Sequence, residues 1–281
     1  MSDILNIVLR SILESITEFL PVSSTGHLFL FGNFFPFQSI SGGAEFEDLF
    51  DIFIQSGAIL SVVVLYFPLL KVRLGYGLSY LLKKNDDKKS YDFLESIILG
   101  CLPIMIFGFI FKKVLDTIKS SENLLLILSI SWIVGGIGIL LVERFLKSDT
   151  RDDEVILDRK KSIFIGVFQC IALMPGISRS AATILGGRIL GLSRRQSAEY
   201  SFFLAIPVLF AAGAYKLIKY RSILNSENIP YLLMGFSLSF IFCILVIRLF
   251  LVFIKTHTFE SFGVYRIILG GVVLIYFLKI I

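Results

Sequence analysis

Apolar runs long enough to cross a bilayer recur along this chain, and four further runs are too short to cross and come in two pairs. The runs fall at roughly 4–20, 27–37, 49–70, 93–111, 123–142, 162–174, 181–191, 200–218, 231–254 and 262–281. About 20 residues make one helical span, so six of them qualify. The short pairs are 4–20 with 27–37 and 162–174 with 181–191, each broken by a polar, proline-containing stretch. Interrupted hydrophobic segments at matching places in two halves point to a buried site between them. A chain with 56% hydrophobic and 17% charged residues and a mean hydropathy of +0.83 lacks the polar surface of a soluble domain. The expected fold is an all-α polytopic membrane protein. The ten-residue alternation of barrel strands is absent.

The two breaks read "EFLPVSSTGH" and "ALMPGISRSA". Pro21 aligns with Pro175 and Ser24 with Ser178, at a common offset of 154 residues. Three long spans follow each pair. Three is odd, so the second unit starts on the opposite side from the first. The expectation is a single integral membrane domain over 1–281, made of two inverted-topology repeats at about 1–145 and 158–281. Each repeat is a broken, re-entrant helical hairpin followed by three transmembrane helices.

Basic residues orient the chain. The loops at 71–92, 143–161, 188–199 and 255–261 hold 16 Lys and Arg, against 7 on the other side. The positive-inside rule places the first group in the cytoplasm. The first hairpin then opens to the outer face. The net charge of +5, spread over loops, fits membrane topology better than nucleic-acid binding. Cys101, Cys170 and Cys243 lie far apart in apolar segments, without metal-ligand spacing.

The chemistry concentrates at the two breaks. Glu14 and Glu18 share one helical face. Like carboxylates held close in a low dielectric call for a proton or a cation between them. Mg²⁺ or Ca²⁺ bound by these oxygens, water and a phosphate answers that demand. Pro21 ends this helix near Leu20. Ser23, Ser24 and Thr25 offer three hydroxyls where a helix cap needs one. His27 follows Ser24 by three residues, within reach to orient or deprotonate its hydroxyl. The second break carries Ser178, Arg179, Ser180 and Thr183. The Arg179 guanidinium between short apolar helices needs an anion, either a phosphate or an internal salt bridge to Glu14 or Glu18. The next helix, from near Ser180, points its N-terminus at the same place. Carboxylates and hydroxyls on one tip, with arginine and hydroxyls on the other, suit phosphoryl transfer.

These residues resemble the two signature motifs of the bacterial undecaprenyl-diphosphatase family, the bacitracin-resistance type. The likeness extends to "FDIFIQSGAILSVVV" (50–64), to "SRRQSAEYSFFLAIP" (193–207) and to the chain length. It implies an integral inner-membrane enzyme, dependent on a divalent cation, that hydrolyses undecaprenyl diphosphate and recycles the lipid carrier of peptidoglycan synthesis. By that resemblance Glu14 and Glu18 would bind metal or assist the base. Ser24 would be the nucleophile with His27 as its partner, unless a metal-activated water attacks instead. Ser178, Arg179, Ser180 and Thr183 would cradle the diphosphate, and Ser23 and Thr25 would support the pocket. Membrane lipid and a homodimer are the expected partners. The sequence departs from the family pattern at Ser15 and Ala181, where glycine is frequent. A lipid flippase using the same midplane site is the rival reading. A second class of lipid phosphatase, with "SGH" and "SR…H…D" stretches, is excluded: the only histidine after Arg179 is His257, and no aspartate follows it.

Overall fold

A computed structural model describes residues 2–146 and 157–280, and every described element is helical. The first hairpin consists of α1 (Asp3–Thr17) and α2 (Ser24–Phe34). Then come α3 (Gly43–Leu65), α4 (Phe67–Leu81), α5 (Lys88–Ile110), α6 (Lys112–Lys119) and α7 (Leu124–Phe145). The second hairpin is α8 (Arg159–Gln169), a 3₁₀ turn (Cys170–Leu173) and α9 (Arg179–Ile189). It leads into α10 (Arg194–Lys219), α11 (Ile229–Thr256) and α12 (Glu260–Ile280). Six helices are long and apolar enough to cross a membrane: α3, α5, α7, α10, α11 and α12. They are the six expected spans, with one shift. The first starts at Gly43 and ends at Leu65, because Pro68 opens a separate helix at its N-terminal turn. The stretches 71–92 and 112–122, read as loops, carry part of α4 and all of α6.

Large apolar side chains face outward on the long helices: Phe109, Ile137, Ile241, Leu249 and Ile268 are all exposed. The interior holds polar groups instead, among them Arg10, Glu14, Gln169, Arg188 and Arg266, each almost fully buried. This distribution, inverted from that of a soluble protein, is consistent with a multi-pass membrane protein.

The hairpins sit between the long helices. In the packing, α1 lies on α11 and α8 on α5, while α7 pairs with α12 and α3 with α10. Ser15 serves the first of these contacts. Its hydroxyl donates to Ser11 O at 2.7 Å and to Ser239 O at 3.1 Å, across the α1–α11 boundary. Helices α7 and α12 approach so closely that a Cβ on Gly136 would meet Gly263 O at 2.6 Å. That closeness brings Trp132 and Arg266 over the hairpin tips.

Ion pairs tie the helix ends together. At one end Lys216 of α10 pairs with Asp48 of α3, and Arg10 of α1 reaches Glu47 at 2.5 Å and Asp51 at 2.7 Å. At the other, Arg194 pairs with Glu143 at 2.7 Å and Arg159 with Glu95 at 2.7 Å. Lys147 and Arg151, counted in the basic 143–161 loop, lie outside the described residues.

Candidate active site

Each tip is a tight turn that ends in a serine with left-handed backbone. Helix α1 stops at Thr17, earlier than Pro21 alone would require, and Glu18 is its last capping residue, donating its N–H to Glu14 O at 2.9 Å. Ser23 (φ 77°) precedes α2, and Ser178 (φ 74°) precedes α9. A non-glycine residue in this region is uncommon and marks a constrained site. The two cap serines are 155 residues apart, one more than the sequence alignment of Ser24 with Ser178. The second tip accommodates one extra residue at Gly176 (φ 90°). Ser178 caps α9 through its side chain, which accepts from Ala181 N at 3.2 Å. Ser23 makes no such side-chain cap.

Glu18 joins the tips. Its Oε1 pairs with Arg179 Nη2 at 2.7 Å, and its Oε2 accepts from the Ser24 hydroxyl at 2.5 Å. Arg179 also donates Nη1–H to Ser201 O at 2.9 Å, which leaves its buried Nε without a partner in the protein. The internal salt bridge therefore exists, and the guanidinium still keeps a spare donor. Glu18, Ser23, Ser24, Thr25, Ser178 and Arg179 line a cavity of ≈ 220 Å³, with Gln55 of α3 and Lys119 of α6 on its other walls.

Several expected site residues stand elsewhere. His27 does not meet Ser24. Its Nδ1 is 2.7 Å from Ser23 O and its Nε2 is 2.7 Å from the Tyr265 hydroxyl, so both ring nitrogens are engaged. The first turn of α2 places its ring one turn beyond Ser23, against Trp132 and Tyr265. Ser180 does not line the cavity. Its hydroxyl donates to Leu20 O at 2.7 Å and fastens the second tip to the first. Thr183 is a turn further along α9, bound to Arg179 O at 3.0 Å and Ser201 Oγ at 2.7 Å. Glu14 lies behind Glu18, off the cavity wall, with both carboxylate oxygens buried and without a hydrogen-bond partner. Ala181, on α9, is buried.

Residues 7–272 match the family described as bacitracin resistance protein BacA. The chain belongs to the BacA family. Among curated relatives, the undecaprenyl-diphosphatase of Leptospira interrogans serovar copenhageni is 57% identical over 275 residues, covering 98% of each chain. That of Leptospira biflexa is 54% identical over 280 residues, covering 99% of this chain and all of the relative. That of Persephonella marina is 40% identical over 277 residues, covering 98% and 99%.

Two residues of this BacA family member escaped the sequence reading. Arg266 of α12 is fully buried and has no carboxylate partner among the described residues. It donates to Pro21 O (3.2 Å) in the first tip, and to Gly176 O (3.0 Å) and Ile177 O (2.9 Å) in the second. It also reaches Ser131 O at 3.0 Å. One guanidinium thus binds the backbone of both turns. Trp132 adds a bond from Nε1 to Val22 O at 3.2 Å. An arginine inside an apolar run was the available signal. Trp132 also makes Gly26 obligatory, since a Cβ there would lie 2.6 Å from its Cζ2. Gly26→Ala is expected to cost about 1–3 kcal/mol, read as a lowered thermal unfolding temperature in detergent.

Glu14's orphaned oxygens fit a divalent cation. Among the described residues no group of three or more His, Cys, Asp or Glu gathers. A cation held by Glu14 and Glu18 would therefore complete its shell from water and phosphate oxygens, as Mg²⁺ commonly does.

Proposed function

We propose that this chain hydrolyses undecaprenyl diphosphate to undecaprenyl phosphate and inorganic phosphate, recycling the lipid carrier of peptidoglycan synthesis in the bacterial inner membrane. One observation carries this reading: a single carboxylate, Glu18, holds both a serine hydroxyl and an arginine at the wall of a small cavity. Relatives up to 57% identical are undecaprenyl-diphosphatases, which supports the substrate.

The chemistry follows from those contacts. The Ser24 oxygen attacks the terminal phosphorus as its proton passes to Glu18 Oε2. The bond from that phosphorus to the bridging oxygen breaks, and the prenyl phosphate leaves. Water then releases phosphate from Ser24, with Glu18 returning the proton. Arg179, through Nε and the edge facing the cavity, offsets the charge on the phosphoryl oxygens. His27 holds the tip by engaging Ser23 O and Tyr265 and takes no proton from Ser24. A divalent cation at Glu14 and Glu18, when bound, supplies further positive charge against those oxygens.

The two halves, 1–145 and 158–281, are inverted repeats with re-entrant hairpins that meet at their tips. What supports this is the exchange of roles in the packing, α1 on α11 as α8 on α5, together with the two left-handed cap serines. Leu115 and Lys119 of α6 line the cavity, and Lys119 lies toward the Lys216–Asp48 end. The loops at that end are poorer in lysine and arginine, so it is the outer, periplasmic face.

Purified protein in detergent with undecaprenyl or farnesyl diphosphate tests the proposal. Phosphate release is expected, falling about tenfold or more with chelator and returning with Mg²⁺ or Ca²⁺. Phosphoserine trapped at Ser24 is the expected intermediate. Tight lipid binding without phosphate release would instead indicate transport and end the hydrolase reading.

A further inference from the structure

Among the described residues, three ionisable side chains reach the cavity wall: Glu18, Arg179 and Lys119. Glu18 and Arg179 are paired at 2.7 Å and cancel. Lys119 supplies the remaining charge. It is the last residue of α6, and Leu115, one turn earlier on the same helical face, lines the same cavity. Helix α6 therefore forms the outer wall of the site, with an ammonium at its rim. The neighbouring acid Asp48 is already engaged by Lys216 and by the Tyr220 hydroxyl at 2.7 Å. Lys119 has no ion pair or hydrogen bond among the described residues. Ile104, Leu173 and Leu209 add apolar side chains to the wall of the same cavity, and Lys119 itself is exposed.

We propose that Lys119 is a substrate-positioning residue that takes the outer oxygens of the terminal phosphate of a lipid diphosphate. This rests on the hydrolase reading above. With Glu18 and Arg179 paired to each other, Lys119 is the cationic side chain of the cavity wall that no carboxylate among the described residues engages, and a diphosphate entering the cavity takes it as a partner. Lys119 lines the same cavity as Ser24 and Arg179, so the ammonium and the tips act on one terminal phosphate. The same chemistry would bind free phosphate, and the experiment separates the two sources.

The test measures phosphate release from farnesyl diphosphate in detergent by wild type, Lys119→Gln and Lys119→Arg, with inorganic phosphate as inhibitor. Lys119→Gln is expected to raise KM about tenfold with kcat within about twofold, and Lys119→Arg to restore most of the loss. Added salt is expected to raise KM for wild type more steeply than for Lys119→Gln. An unchanged KM in Lys119→Gln overturns the proposal, as does an effect confined to phosphate inhibition or to kcat. Matching thermal unfolding of the variants confirms that the comparison is between folded proteins. A wild type that releases no phosphate would defeat the hydrolase reading itself, whereas an active wild type with an indifferent Lys119→Gln defeats only this assignment.

Discussion

Replacing Glu18 by glutamine is expected to lower kcat about a thousandfold while leaving the protein folded. Glutamine keeps the length and one oxygen of the side chain, so Arg179 retains an acceptor at the position now 2.7 Å away. What disappears is the carboxylate proposed to take the proton from Ser24, whose hydroxyl lies 2.5 Å from Glu18 Oε2. Loss of a positioned general base typically costs 10²–10⁴ in rate, and removing the negative charge disturbs the adjacent guanidinium as well. His27 does not take over that role, because it is bound to Ser23 O and Tyr265 rather than to Ser24. Phosphate release from a prenyl diphosphate is the measurement. Activity within about tenfold of wild type would remove Glu18 as the proton acceptor.

The second large effect is structural in origin. Arg266→Ala is expected to destabilise the protein by about 4 kcal/mol or more and to abolish hydrolysis. Its guanidinium satisfies carbonyls of Pro21, Ser131, Gly176 and Ile177 in a region closed to solvent. Each carbonyl left without a donor costs about 1–3 kcal/mol, and the vacated volume adds to that. Arg266→Lys is expected to fail nearly as badly, since one ammonium cannot reach all the carbonyl acceptors that the planar guanidinium fork spans. Thermal unfolding in detergent, paired with the phosphate assay, checks both claims. A variant that unfolds at the wild-type temperature with wild-type kcat would show that the turns hold their shape unaided.

The six long helices were legible because hydrophobic runs of that length have few other readings. Their ends were less so. The run at 49–70 continues through Leu69 and Leu70, yet the span stops at Leu65, because Pro68 favours a new helix start. Helices α4 and α6 were hidden in stretches whose lysines and arginines read as loop. The eight residues of α6 are too few to register as a span. At the site, residue types that carry chemistry announced themselves as polar letters in apolar surroundings. Their partners were often backbone carbonyls, which have no letter. Ser180 and Thr183 thus bind Leu20 O and Arg179 O, and His27 binds Ser23 O. Arg266 could have been flagged by the same logic that singled out Arg179. Its assignment needed the third dimension, because it contacts residues 90 and 245 positions away in the chain.

The cavity has a consequence for kinetics. At ≈ 220 Å³ it is smaller than a typical pocket for a drug-sized molecule, about 300–1,000 Å³. It has room for a diphosphate and little more. The long hydrocarbon tail must stay among lipid chains while the head is processed, so the bilayer is the solvent from which substrate is drawn. Turnover should then follow the mole fraction of prenyl diphosphate within the membrane rather than its concentration in the surrounding buffer. Diluting substrate with inert lipid at constant bulk concentration will slow this protein, and shortening the tail will matter chiefly through how firmly the substrate stays embedded.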